Sequence, residues 1–305
     1  MRTLRIGTFS PSVVLGVAAA TGALDTAGLT ITQVPARNSP EQFAALLAGE
    51  LDAVITSPDN VLAYRFVADN PLGHTGDLRI LAAVDRGLGL SLFTAPGVED
   101  IDSLRGGVLG VDVPTSGFAF VAYELLARQG VKAGIDCEVA ALGSTPRRAE
   151  ALAEGRCAVT VLNAGNDLRA ERADCHRLSR AKEIGPYVGT VLASTAEQQE
   201  KEWLAALVGV IVDTSGRLAS GQLHECASSV TAQLLGLGDD DVQRYVELLA
   251  DPEEGLVADG RVDRESLDTL VTLRMRHHAG SAGLADALRH DTGLLDECFL
   301  PGAAP

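Results

Sequence analysis

Basic residues are scarce: 25 lysines and arginines stand against 41 aspartates and glutamates, a net charge of -16. No basic stripe is present, which argues against nucleic acid as a partner. The acid is scattered, and Asp239-Asp240-Asp241 reads as the acidic opening of a helix. Cysteine is sparse too. Cys137, Cys157, Cys175, Cys226 and Cys298 lie far apart with no C-x-x-C pair, an odd count that suits a reducing compartment. Long hydrophobic runs are missing. The stretch Val13–Ala20 is short and holds Gly16, so no membrane insertion is expected. Met1-Arg2-Thr3 leads straight into Leu4-Arg5-Ile6-Gly7, with no charged n-region, apolar h-region or cleavage site. The expectation is a cytoplasmic protein, exported only if a native signal peptide has been removed. Catalytic and cofactor motifs are also absent: no G-x-S-x-G, no P-loop and no Rossmann fingerprint. Cys175-His176 makes no metal signature, because neighbours on a strand point to opposite faces. No cofactor and no metal are expected.

What is present is a chain rich in alanine, glycine, valine and leucine, 46% apolar and only 4% aromatic. That is the palette of α/β layers, and 305 residues suggest two lobes. Strand candidates are Leu4–Phe9, Leu29–Val34, Ala53–Thr56, Ile80–Val84, Leu90–Thr94, Val108–Val113, Cys137–Leu142, Val159–Leu162 and Val188–Ala193, with helical patterns between most of them. Ser10-Pro11, Ser39-Pro40, Ser57-Pro58 and Thr145-Pro146 each put a hydroxyl cap before a proline, and Ser39 with Gln42 makes a capping-box pattern. Glycines 22, 49, 130 and 155 stand where helices should stop. From about residue 196 only helices are expected: Ala196–Ser220, Leu223–Gly236, Asp240–Leu249 and Val262–His278, packed on the outer face of the first lobe, then a frayed Pro301–Pro305.

An internal repeat supports two related lobes. Ser39–Ser57 aligns without gaps on Thr145–Asn163, matching Pro40 to Pro146, Leu46 to Leu152 and Gly49 to Gly155. Each copy reads as helix, glycine stop, buried strand. Upstream, the strand, turn and helix of Leu4–Ala20 are echoed at Val108–Ala127.

Three segments carry a resemblance: Leu4-Arg5-Ile6-Gly7 with its serine turn, Gly49-Glu50-Leu51-Asp52-Ala53 with its strand, and Gly110 to Gly117. With them the chain resembles the substrate-binding proteins of nitrate, sulfonate and taurine ABC transporters, whose superfamily includes a thiamine-pyrimidine precursor synthase. The resemblance spans residues 4–280, most clearly 4–165. It implies the α/β, two-lobed type II periplasmic binding protein fold, each lobe a mostly parallel sheet flanked by helices. Carried over, the first lobe is residues 1–88 plus 190–305 and carries the C-terminal helices; the second is residues 89–189. The crossings fall near Asp85–Ser91 and Pro186–Thr190. Such proteins close on their ligand by hinge motion. The cysteine- and histidine-rich arrangement associated with the synthase is missing here.

The resemblance and the rule that ligands bind outside the carboxyl ends of parallel strands select the same loops. From the first lobe they are Ser10 and Ser12, then Ser57 and Asn60; from the second, Thr115, Ser116 and Gly117, then Asn163 and Asn166. Helix N-termini there favour an anion. Phe9 and Phe118 flank the turns as candidate ligand sandwich or core residues. Ser39 and Thr145 read as plain caps at the opposite end of the sheet. Asp112 is the carboxylate placed for acid–base work, His74 reads as a solvated loop residue, His277-His278 suits a helix C-terminus, and Cys157 replaces Leu51 as a buried apolar residue. Two readings stand. One is a non-catalytic binding protein for a small, anionic or polar organic ligand, partnered by an ABC permease if exported. The other is a cytoplasmic lyase, decarboxylase or biosynthetic enzyme acting on a small cyclic acid. The number of copies in the assembly is left open.

Overall fold

The computed structural model describes residues 1–98, 100–198 and 202–300. Short runs of β-branched and small apolar residues form its strands: β1 (Arg2–Thr8), β2 (Leu29–Pro35), β3 (Ala53–Thr56), β4 (Leu78–Asp85), β5 (Ser91–Thr94), β6 (Val108–Val111), β7 (Glu138–Ala141), β8 (Val159–Leu162), β9 (His176–Arg180) and β10 (Thr190–Thr195). The helices are α1 (Val13–Ala20), α2 (Ala23–Thr26), α3 (Ser39–Leu47), α4 (Pro58–Phe66), α5 (Gly117–Arg128), α6 (Thr145–Ala153), α7 (Asn166–Arg172), α8 (Glu202–Ala219), α9 (His224–Leu235), α10 (Asp239–Leu249), α11 (Arg264–His277) and α12 (Leu284–His290).

Two five-stranded sheets result, ordered β2–β1–β3–β10–β4 and β7–β6–β8–β5–β9. In each, one strand runs against the other four: β10 is antiparallel to β3 and β4, and β5 to β8 and β9. The two orders superpose strand for strand, as the sequence repeat requires. Hydrogen bonding follows the repeat as well. Gln42 and Arg148 occupy equivalent positions on α3 and α6, each 1% exposed. Gln42 donates to the Ile55 carbonyl and Arg148 to that of Val161, which are also equivalent. The chain leaves the first sheet after Asp85, enters the second at Ser91, and returns between Arg180 and Thr190.

Helix stops fall where the glycines predicted them: Gly22, Gly49, Gly130 and Gly155 all take positive φ. The caps are displaced by one or two residues. Ser12, not Ser10, caps α1, accepting the Leu15 N–H at 3.3 Å. Asn38, not Ser39, caps α3 through the Glu41 N–H, so the capping box is not formed. Ser144 precedes α6 in place of Thr145. Proline tolerates the second helical position as well as the first, so Ser39-Pro40 and Thr145-Pro146 slip inward, whereas Ser10-Pro11 stays outside α1. Only Ser57-Pro58 sits as expected, and there the serine hydroxyl makes no cap bond.

The C-terminal helices do not keep to the first sheet. α8 and α9 pack on α1, but α10 and α11 reach across to the second unit. Arg172 of α7 pairs with Asp241, Arg244 pairs with Glu171, and Arg276 of α11 grips Glu124 of α5. Opposite charges on facing helices draw them over both units. One apolar cluster accordingly joins Phe43, Tyr64 and Ile80 to Leu109, Phe120 and Val161 through Leu270 and Leu273 of α11. Full burial of each large side chain contributes roughly 1.5–3 kcal/mol. The expected strand list missed β9, and α8 begins at Glu202; residues 199–201 and the tail 301–305 lie outside the described residues. Among the described residues no single helix is long and apolar enough to cross a membrane.

Candidate functional site

Four of the strands in each sheet run the same way, so β1, β2, β3, β6, β7 and β8 present their carboxyl ends, and the helices that follow them present their N-termini, along one edge of each sheet. Between the two edges lies a cavity, partly open to solvent. All the expected site residues except Thr115 and Asn166 line it. Phe9, Ser10 and Ser12 come from the β1–α1 turn, and Ser57 and Asn60 from the start of α4. Ser116, Gly117 and Phe118 open α5, and Asn163 follows β8. Thr115 stands half-buried beside the cavity, its carbonyl accepting Arg274 Nη2 at 3.0 Å. Asn166 reaches the site through Ser10, its Nδ2 donating to the serine Oγ at 3.4 Å.

One end of the cavity is apolar, formed by Val13, Val14, Leu88, Tyr245, Leu249 and Leu256. The other end is polar and was only partly foreseen. Ser144, Thr145 and Arg148 belong to it, which corrects the placing of Thr145 at the far end of the sheet. β7 runs parallel to β6, so α6 must begin at the same edge as α5. Ser39 follows the same logic from β2: its backbone N–H donates to Asp112 Oδ2 of the second unit at 3.3 Å. The units also meet where the Ser144 N–H donates to the Arg37 carbonyl at 2.8 Å.

Arg148 escaped the sequence reading, although its match to Gln42 in the repeat marked a polar residue at a buried helical position. Its guanidinium donates to Thr160 Oγ1, the Gly143 and Val161 carbonyls and Thr145 Oγ1 at 2.7–3.2 Å. No described carboxylate lies within ion-pair distance of it. Burial pulls its proton affinity down, to a pKa of about 10, against the opposing pull of Asp112. Burial likewise pushes the Asp112 carboxyl up, with Arg148 and Ser39 holding it back. Asp85, at the rim where the chain leaves the first sheet, is raised by burial against hydrogen bonds from Thr190 and Gly87. Among the described residues no cluster of His, Cys, Asp and Glu is arranged to hold a metal ion.

No protein-family model matches the chain, and no curated protein sequence does. Solved structures match in number. The alkanesulfonate-binding protein of Xanthomonas axonopodis, bound to MOPS, is 16% identical with a TM-score of 0.72, covering 91% of this chain and 93% of its own. The ligand-binding component of an ABC-type import system from Staphylococcus aureus, with zinc bound, is 15% identical at TM-score 0.76, covering 100% and 99%. The periplasmic nitrate-binding protein of Synechocystis is 10% identical at TM-score 0.74, covering 97% and 86%. The chain has their two-lobed α/β fold.

Proposed function

We propose that this chain binds a small organic anion between its two sheets and closes over it as ABC-type substrate-binding proteins do. The observation that carries this reading is Arg148, a buried guanidinium with no carboxylate partner, lining a cavity onto which helix N-termini converge from both units. Asp112 acts on this guanidinium only from beyond ion-pair distance, and an incoming anion would give the buried charge the direct partner it lacks. The solved relatives that bind alkanesulfonate and nitrate fit the same chemistry. In this reading residues 1–88 with 190–305 form one lobe and 89–189 the other. They hinge at Asp85–Ser91, where Gly87 and Gly89 take positive φ, and at Pro186–Thr190. The described structure holds five free cysteines, which supports a cytoplasmic setting; an exported form would serve an ABC permease.

Native mass spectrometry of freshly purified protein tests the proposal, by whether a small acid co-purifies and with what mass. Ser57→Ala and Ser116→Ala should each reduce the thermal stabilisation that this acid gives. Unchanged stabilisation in both variants would remove the cavity as the site. The enzymatic alternative rests on Asp112, and conversion of the recovered acid to a new mass on incubation would favour it.

A further inference from the structure

We infer that Asp112 selects the ligand, requiring an organic acid that carries an N–H or O–H donor close to its acid group. The inference rests on the binding reading above and deepens it. Asp112 follows β6, lines the cavity and is 8% exposed. Its two oxygens are unequally served. Oδ2 accepts the backbone N–H of Ser39 at 3.3 Å, and the Ser39 side chain bears on the same carboxylate. Oδ1 is buried with no hydrogen-bond partner among the described residues. Buried acceptors left in this state are rare, because water has been removed and nothing has replaced it.

Arg148 provides the complementary half. Thr160, Gly143, Thr145 and Val161 take its other N–H groups, and Nη1 keeps one to spare. The polar end of the cavity thus offers one unused cationic donor and one unused anionic acceptor, both from the second sheet's unit. A bare inorganic anion satisfies the first and is repelled by the second. An unsubstituted organic acid does the same. An acid with a hydroxyl or ammonium group nearby satisfies both.

The position of Asp112 also ties this choice to closure. Its Oδ2 contact reaches α3 of the other unit, so a ligand donor on Oδ1 fixes the carboxylate in the orientation that contact needs. A donor at Oδ1 favours the ionised form as well, offsetting the upward push of burial on this carboxyl.

Matched series of probes read the inference directly on the full chain: propanoate, lactate and alanine; benzoate, 3-hydroxybenzoate and 3-aminobenzoate; ethanesulfonate with its 2-hydroxy and 2-amino derivatives; and nitrate alone. Titration calorimetry should show the donor-bearing members of the best-fitting series binding about tenfold or more tightly than their parent, as a buried charge-assisted hydrogen bond gives. The ranking of hydroxyl against amine identifies the donor. In Asp112→Asn and Asp112→Ala the preference should fall below about threefold, on the same scale. Equal affinity for parent and derivative, or a preference that survives both substitutions, overturns the role of Asp112 and leaves the binding reading standing. Should neither variant fold, the series on the unaltered chain decides alone. Silence from every probe, with no acid co-purifying, overturns both.

Discussion

Arg274 on α11 grips Asp59 on α4 with two hydrogen bonds, Nε to Oδ1 at 2.7 Å and Nη2 to Oδ2 at 2.6 Å, and both side chains are 1% exposed. The same Nη2 donates to the Thr115 carbonyl just before α5, and the guanidinium lies 5.0 Å from the Phe120 ring centre. One side chain from the far end of the sequence therefore ties the opening of a first-unit helix to that of a second-unit helix. Removing one member leaves a buried charge alone. Arg274→Met should cost about 3–5 kcal/mol in urea unfolding, and the double change Asp59→Leu with Arg274→Met should cost clearly less than the single one. A single-variant loss below about 1 kcal/mol would contradict this account.

Gly117 sits against that pair. A Cβ built there lies 2.5 Å from Asp59 Cβ and 2.9 Å from its Oδ2. Gly117→Ala should destabilise by about 1–3 kcal/mol and enlarge the radius of gyration in X-ray scattering, because α4 and α5 must separate. An unchanged scattering curve at reduced stability would place the accommodation within Asp59 alone.

Two other glycines should respond in opposite directions. A Cβ on Gly189 would overlap the backbone of Gly87 and Asp85 Oδ1 where the chain crosses between sheets, so Gly189→Ala should lower stability by at least about 2 kcal/mol. Gly209 lies exposed within α8 with nothing near its Cβ position. Gly209→Ala should raise stability by about 0.5–1 kcal/mol, read from the urea midpoint.

Acid should act through Glu124. Burial alone would raise this carboxyl, but hydrogen bonds from Arg276, Arg128 and His277 hold it near pH 2 against an ordinary value of 4.5. A depressed carboxyl stabilises the fold above its unfolded value and loses that contribution as pH falls. Stability should therefore decline from about pH 4.5 towards 2. Glu124→Gln should start lower at pH 7 and show a shallower decline across that window. A parallel decline in both proteins would assign the acid sensitivity elsewhere.

Much of this architecture was legible because its signals are local. β3 and β8 lie where their short, mostly apolar runs are, since all four residues of each are buried and Gly49 and Gly155 stop the helices before them. β9 was missed because an edge strand need not be apolar, and His176–Arg180 is mostly polar and partly exposed. Ser10, Ser12, Ser57, Ser116, Phe9 and Phe118 were found by their position after strands, and Ser144 was not. Arg148, Thr145 and Ser39 were not, because their location depends on which neighbouring strands run parallel, a long-range property that no short window carries. The bridging by α10 and α11 was hidden for the same reason. Each ion pair that draws them across joins residues distant in sequence, such as Glu124 and Arg276.

The late return of β10 to the first sheet sets an order of assembly during synthesis. The second sheet is continuous in the chain, from Ser91 to Arg180, and its strands are all available once that segment has left the ribosome. The first sheet must wait. Among the described residues β10 is the strand that joins β3 to β4, and it begins 105 residues after Asp85. At ordinary elongation rates that interval lasts roughly 5–20 s. For that time β3 and β4 carry unpaired edges, which makes the nascent first lobe, and not the finished one, the form in which this protein most needs a chaperone.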